Sequence, residues 1–260
     1  MPAATFREEG PTTRACRVAR CATDRYPLAV PRSPNVRGQA AISRERRLAF
    51  GRRLRAWYRA NQRDLPWRRT RDPYRILVSE LMLQQTQVAR VVPKYGEFLR
   101  AFPTLAAIAR ATPAQVMEAW SGLGYYARAR HLHALAVEMS ARGDGALPQD
   151  PAALSDLPGI GAYTAGAVAS FAYGQRAPLV DTNVARVLRR VFAPRLDTNS
   201  SAGRRALWRI ASAILPRTGA ATYTHNQALM ELGATICTSR RMLCHRCPVR
   251  ALCATGRAAR

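Results

Sequence analysis

From Ile42 onward the apolar residues recur at helical spacing. Phe50, Leu54, Trp57 and Tyr58 fall at i, i+4, i+7 and i+8, one stripe of a helix. Leu65-Pro66-Trp67 predicts its break, because proline removes a donor and constrains the residue before it. Asp72-Pro73 predicts the next start, and Ile76 to Val92 is strongly apolar. Pro103 predicts another start, with Leu105, Ile108 and Ala109 on one face. Further stripes are Leu132, Leu135, Ala136 and Met139; Val184, Val187, Leu188 and Val191; and Leu207, Ile210, Ala211 and Ile214. No stretch alternates convincingly with the period of two that a half-buried strand shows, and no internal repeat appears. The expected class is all-α, built from many short helices joined by Pro/Gly turns.

One turn carries more than connectivity. Leu157-Pro158-Gly159-Ile160-Gly161 leaves the amides of Gly159 and Gly161 bare just ahead of a helix. Bare amides at a helix N-terminus form an anion site. An ordinary loop is the competing reading. The following helix is rich in small residues (Ala162, Ala165, Gly166, Ala167, Ala169, Ser170), which lets its backbone approach another helix, and it is expected to end near Gly174. Asp181 follows shortly.

Charge narrows the class of partner. Basic residues number 41 against 16 acidic, a net +25, which favours a polyanion and above all a nucleic acid. Lys94 is the only lysine, so compositional bias contributes to this excess. Residues 1–42, rich in Pro, Arg, Ala and Thr, are expected to be a disordered extension or an over-long start; Cys16 and Cys21 lie there. The N-terminus lacks the apolar segment of a secretory signal and no apolar run spans a membrane, so the expected setting is the bacterial cytoplasm, with the nucleoid.

Two carboxyls stand out. Glu80 is the only charge in Ile76 to Val88, with Ile76, Leu77 and Leu83 as its helical neighbours. A poorly solvated carboxyl has a raised pKa and can serve as a general acid. Alternatively it pairs with a buried arginine and only holds the core. Asp181 is either the N-cap of the Val184 helix or an ionised carboxylate opposite a developing sugar cation, and both can hold at once. Cleavage of a glycosidic bond needs one protonated and one ionised carboxyl.

Cys237, Cys244, Cys247 and Cys253 are spaced C-x6-C-x2-C-x5-C. Without a secretory signal this density indicates metal, and a single C-x-x-C knuckle favours a cubane iron–sulfur cluster over a zinc ribbon. Arg240 and Arg241 fall in the first loop, where a cluster would shape a phosphate-gripping turn. In Gly122-Leu123-Gly124-Tyr125-Tyr126-Ala127-Arg128, aromatics suited to base stacking follow two glycines, and one of the two tyrosines is expected in the core.

The L-P-G-I-G hairpin, V-D-T-N-V and the four cysteines resemble the endonuclease III superfamily of DNA glycosylases. Within it, S-E-L-M-L-Q-Q-T-Q-V, G-L-G-Y-Y-A-R-A-R and L-P-W-R resemble the adenine DNA glycosylases of the MutY type; the likeness covers about Leu54 to Cys253. The resemblance implies a monofunctional, monomeric base-excision enzyme that flips out adenine mispaired with 8-oxoguanine or guanine in duplex DNA. It implies a six-helix barrel module at 68–177, and a 4Fe–4S cluster module from 43–67 with 178–260. The active site lies in the cleft between them.

Carried onto these positions, Glu80 protonates adenine N7 and Asp181 stabilises the sugar cation, supported by Tyr163 and Asn183. Trp67, Arg68, Leu83 and Gln227 line the adenine pocket, Gln85 and Tyr125 wedge into the stack, and Cys237, Cys244, Cys247 and Cys253 hold the cluster. Two departures stand out. Thr182 replaces a common glycine. The chain ends seven residues past Cys253, where family members continue into a domain that helps read 8-oxoguanine, so a blunted opposite-base preference is expected. A thymine or uracil mismatch glycosylase, or a non-catalytic iron–sulfur DNA-binding protein, are the alternatives.

Overall fold

A computed structural model describes residues 42–143 and 145–257. The expectation for residues 1–42, with Cys16 and Cys21, therefore lies outside the described residues except at Ile42. Among the described residues the regular structure is wholly helical, and the one ladder contact is an isolated bridge between Cys237 and Met242.

The helices begin where capping chemistry places them. α1 (Arg44–Asn61) is capped by Ser43, whose hydroxyl accepts from the Arg46 amide, and Phe50, Leu54 and Tyr58 form its buried stripe. The break at Leu65 is followed by a 3-10 turn, Pro66–Arg68. α2 (Pro73–Leu83) starts on Asp72, whose carboxylate accepts from the amides of Tyr74 and Arg75. The apolar run from Ile76 does not continue as one helix: Gln84-Gln85-Thr86 turns the chain, and α3 (Val88–Ala101) begins afresh. α4 (Leu105–Arg110) is capped by Thr104, one residue beyond the expected Pro103, and α5 (Pro113–Ala119) by a Thr112/Gln115 capping box.

Then come α6 (Ala127–Ala141), α7 (Pro151–Ser155), α8 (Ala162–Phe171), α9 (Thr182–Phe192), α10 (Ser201–Ala213) and α11 (Gly219–Thr235). In one group α2 packs on α3, α6 and α8, α4 and α5 pack on α6, and α7 on α8; in the other, α11 packs on α1 and α9, and α9 on α10. α8 also touches α11. The small side chains of α8 make this possible: all its residues except Tyr163 are buried, so it reads as a helix packed on every side. Asn226 fixes the junction, donating to Ser170 Oγ at 3.0 Å and to the Ala177 carbonyl at 2.9 Å. Glu80 thus comes from one group of helices, and Asp181, at the start of α9, from the other.

No helix among the described residues is long and apolar enough to cross a membrane.

Candidate active site

Glu80 is only 3% exposed, on the apolar α2. The Tyr163 hydroxyl, from the first turn of α8, donates to Glu80 Oε2 at 2.7 Å. Burial drives the Glu80 pKa up, the Tyr163 hydrogen bond opposes it, the charge of Asp181 adds to it and that of Arg68 opposes it, and the result is about 7. A carboxyl balanced there is half protonated at neutral pH and can both give and take a proton. Glu80 has no arginine in hydrogen-bond contact; the buried ion pair lies elsewhere. Tyr163 itself is held neutral, its pKa raised by burial and by the two carboxyls.

Asp181 is the N-cap of α9: Oδ1 accepts from the Val184 amide at 2.6 Å, and Oδ2 from Asn183 Nδ2 at 3.1 Å. Burial pushes it above the ordinary aspartate value, against those hydrogen bonds and the Arg186 charge. A helix N-terminus adds to the donors that favour its ionised form. Arg186 in turn donates to Asn183 Oδ1 at 2.7 Å, so the amide of Asn183 is fixed from both sides. Two carboxyls, coupled electrostatically but differently partnered, are what separate acid and stabiliser roles require.

Arg68 Nε donates to Gln227 Oε1 at 3.1 Å, and its Nη2 to Glu231 Oε2 at 2.7 Å. Glu231 is 1% exposed and also binds Arg63 at 2.7 Å. Burial would raise Glu231, but the hydrogen bonds and charges of Arg63 and Arg68 outweigh it and hold it below the ordinary glutamate range. Trp67 is buried and meets Tyr95 edge to face, with ring centroids 5.5 Å apart. Leu83 is half-buried at the end of α2 and packs on the core. The sequence reading missed Glu231 and Arg63. Leu229-Met230-Glu231-Leu232 carries the same signal as Glu80, a lone acid among apolar residues.

Gln85 and Tyr125 sit on exposed turns and are the only described non-glycine residues with positive φ, at 56° and 47°. Neither tyrosine enters the core, contrary to the expectation for one of them: Tyr125 is 58% and Tyr126 41% exposed. The reason is local. Gly122 and Gly124 take φ of 88° and 69° and swing the segment outward before α6 starts. What is buried instead is Arg128. Its Nη1 donates to the carbonyls of Leu81, Met82 and Gln84; Nη2 donates to Leu123, Gly124 and the Thr86 hydroxyl; Nε donates to Tyr125.

The hairpin Leu157–Gly161 has the expected form. Gly159 has φ 73°, and a Cβ there would lie 2.4 Å from His131 Cβ, so only glycine fits. Gly161 is the N-cap of α8 and offers no side-chain cap, which leaves the first α8 amides available to an anion. Arg240 and Arg241 are exposed on the turn after Cys237.

Cys237, Cys244, Cys247 and Cys253 are unbridged and line one cavity, walled by Val187, Val191, Leu232 and Ile236. Among the described residues no three metal-ligating side chains crowd together as a single ion would need. The four thiols line the shared space. Arg190 Nη1 donates to Cys237 Sγ at 3.3 Å and the Gly256 amide to Cys253 Sγ at 3.1 Å, N–H···S bonds that hold the two sulfurs in place. Burial raises the Cys247 thiol to about 11, so the thiolate form calls for positive charge in the cavity.

Residues 78–212 match the family model of HhH-GPD superfamily base excision DNA repair proteins. The adenine DNA glycosylase of Homo sapiens is 44% identical over 214 residues, covering 79% of this chain and 39% of that protein. That of Mycolicibacterium smegmatis is 48% identical over 197 residues, covering 75% of this chain and 66% of the relative. The chain thus spans well under two thirds of the human relative's length. Among solved structures, a thermostable thymine-DNA glycosylase superposes with a TM-score of 0.76 at 31% identity, covering 84% of this chain and 99% of that one. An endonuclease III–DNA complex superposes with a TM-score of 0.69 at 22% identity, covering 83% and 97%, a likeness of fold.

Proposed function

The chain belongs to the HhH-GPD superfamily of base excision DNA repair proteins, and we propose that it is a monofunctional DNA glycosylase that hydrolyses the N-glycosidic bond of adenine mispaired with 8-oxoguanine or guanine. The observation that carries the reading is Glu80, a buried carboxyl with a pKa of about 7, bonded to Tyr163 and electrostatically coupled to Asp181. Adenine is a poor leaving group until a ring nitrogen is protonated. Glu80 gives that proton, the bond to C1′ breaks with its electrons leaving on the base, and a cationic sugar remains. Asp181, holding hydrogen bonds from Val184 and Asn183, supplies negative charge to stabilise the cation; the nearby positive charge favours its ionised form. Water adds at C1′, its proton passes to the Glu80 carboxylate, and the hydrolysis is complete with the acid restored.

The base must leave the duplex to reach a buried acid. Trp67, Arg68, Leu83 and Gln227 form the adenine pocket in this reading, and the Arg68–Glu231 pair fixes Arg68 so that it orients Gln227. Gln85 and Tyr125 fill the gap left by the flipped base. Gly159 and Gly161 bind a backbone phosphate, as do Arg240 and Arg241.

In this reading Cys237, Cys244, Cys247 and Cys253 hold a 4Fe–4S cluster, a role that their shared cavity and N–H···S bonds support. When bound, the cluster supplies covalent cross-linking of the 237–253 segment through four iron–thiolate bonds. The chain's own contribution there is to present Arg240 and Arg241 on the turn between the first two ligands.

A thymine-specific reading is favoured by one observation, the 31% identity to a thymine-DNA glycosylase along nearly all of that chain. Release of free base from duplexes carrying A:8-oxoG, A:G, T:G and U:G separates the two. Adenine from the first two duplexes is the expected product; thymine or uracil would establish the other reading.

A further inference from the structure

We propose that Arg128 is a positioning residue that locks the Gln85 and Tyr125 tips into a single two-pronged wedge. The inference rests on the reading of those tips as the groups that enter the base stack.

Gln85 and Tyr125 belong to different turns, about forty residues apart in sequence by their numbers. Both take a left-handed backbone that a side chain disfavours, and such a conformation persists only where its surroundings impose it. One guanidinium imposes both. Arg128 Nη1 donates to the Gln84 carbonyl at 2.6 Å, the peptide that leads into Gln85. Nη2 donates to the Gly124 carbonyl at 2.9 Å, the peptide that leads into Tyr125, and Nε to the carbonyl of Tyr125 itself at 3.3 Å. The same guanidinium carbon lies 5.4 Å from the Tyr125 ring centroid and 5.6 Å from that of the buried Trp120, so the Tyr125 ring is held by a cation that a buried indole also contacts.

The choice of residue is informative. Arg128 is 7% exposed, and its partners are carbonyls, one hydroxyl and two rings, with no carboxylate among them. Burying a cation is costly unless its donors are all used. The planar fork uses them to bridge two turns at once, which a lysine's single ammonium cannot do. A charge this well tied to two peptide groups fixes the distance between the prongs. A wedge of fixed width can enter a stacked duplex as a unit, whereas two independently mobile tips would each have to be ordered on binding.

The test uses the full chain and a mismatched duplex with 2-aminopurine placed beside the target adenine, so that its fluorescence rises when the stack opens. Arg128→Met is expected to diminish the fluorescence rise at saturating enzyme and to slow single-turnover adenine release by about tenfold to a hundredfold. Arg128→Lys should recover part of both. Adding Arg128→Met to the Gln85→Ala/Tyr125→Ala double variant should make it little worse, since the arginine acts through the two tips. If Arg128→Met does not fold, the Lys variant carries the same comparison. Slow excision with a full fluorescence rise would overturn the inference, as would unchanged values of both. A wild-type fluorescence rise without adenine release would refute the proposed activity while leaving the wedge in place. Adenine release without a rise with the wild type would sink the wedge while leaving the proposed activity in place.

Discussion

The hydroxyl of Tyr163 donates to Glu80 Oε2 at 2.7 Å, and it favours the ionised form of a carboxyl that burial pushes the other way. Tyr163 therefore trims the pKa of the acid. Tyr163→Phe should let that pKa rise above about 7. The alkaline limb of the excision rate should move to higher pH, with a smaller change in maximal rate. An unmoved limb in a folded Tyr163→Phe protein would dissociate the tyrosine from the acid.

Glu231 compensates two arginines. Glu231→Gln should destabilise the fold by about 3 kcal/mol, because one member of a buried pair is removed and Arg68 is left charged and unpaired. Arg63, with a 39% exposed side chain, contributes less of that loss. The thermal midpoint should drop by roughly 10 °C. A drop of only a degree or two would mean that water replaces the carboxylate.

His225 is fully buried, with neither ring nitrogen in a hydrogen bond, against Phe50 and near Gly51 and Arg55. Burial, then the Arg55 charge, lowers its pKa from 6.5 to about 3. The unfolded chain thus binds a proton that the folded one refuses, so His225 contributes stability above pH 6.5 that is lost as pH falls below it, while Glu80, raised from 4.5 to about 7, works in the opposite direction between those two values. Denaturant titrations of the wild type and His225→Leu at a series of pH values should show it as a stability difference that shifts against the wild type as pH falls below 6.5. An equal slope in the variant would place the acid lability elsewhere.

The cysteine site makes its own forecast. Purified protein should be brown and hold about four irons per chain. Cys237→Ser should give insoluble or DNA-incompetent protein, whereas Cys16→Ser should change nothing measurable. Zinc without iron, after anaerobic purification, would replace the cluster assignment.

Lys94 is the one lysine, and its ammonium pairs with Glu97 at 2.8 Å on α3. A strand-cleaving lyase needs a free amine at the sugar, so borohydride should trap little covalent complex. Strong trapping that Lys94→Ala removes would contradict the monofunctional reading.

What the sequence revealed depended on how local the cause was. Asp72, Asp181 and the Gly159 turn are decided within a few residues, by caps and by a φ that only glycine takes easily, and all three stand where they were expected. Glu80 was legible because a lone acid in an apolar run has few ways to be solvated. Glu231 carried the same mark among Leu229, Met230 and Leu232, yet its arginine partners come from a segment more than 160 positions away. Arg128 could not be singled out among so many arginines, because its burial exists only once two turns meet. The break after Leu83 was hidden for the same reason: the apolar period runs on into α3, and what ends α2 is a turn held from outside by Arg128.

The pH dependence of adenine release under single-turnover conditions tests the general-acid assignment most directly. With A:8-oxoG duplex in excess enzyme, the rate should fall as pH rises through about 7, because the protonated form of Glu80 is lost there. Glu80→Gln should bind the mismatch and release no base at any pH. A rate that stays level across that range, or a Glu80→Gln protein that still excises adenine, would contradict the assignment.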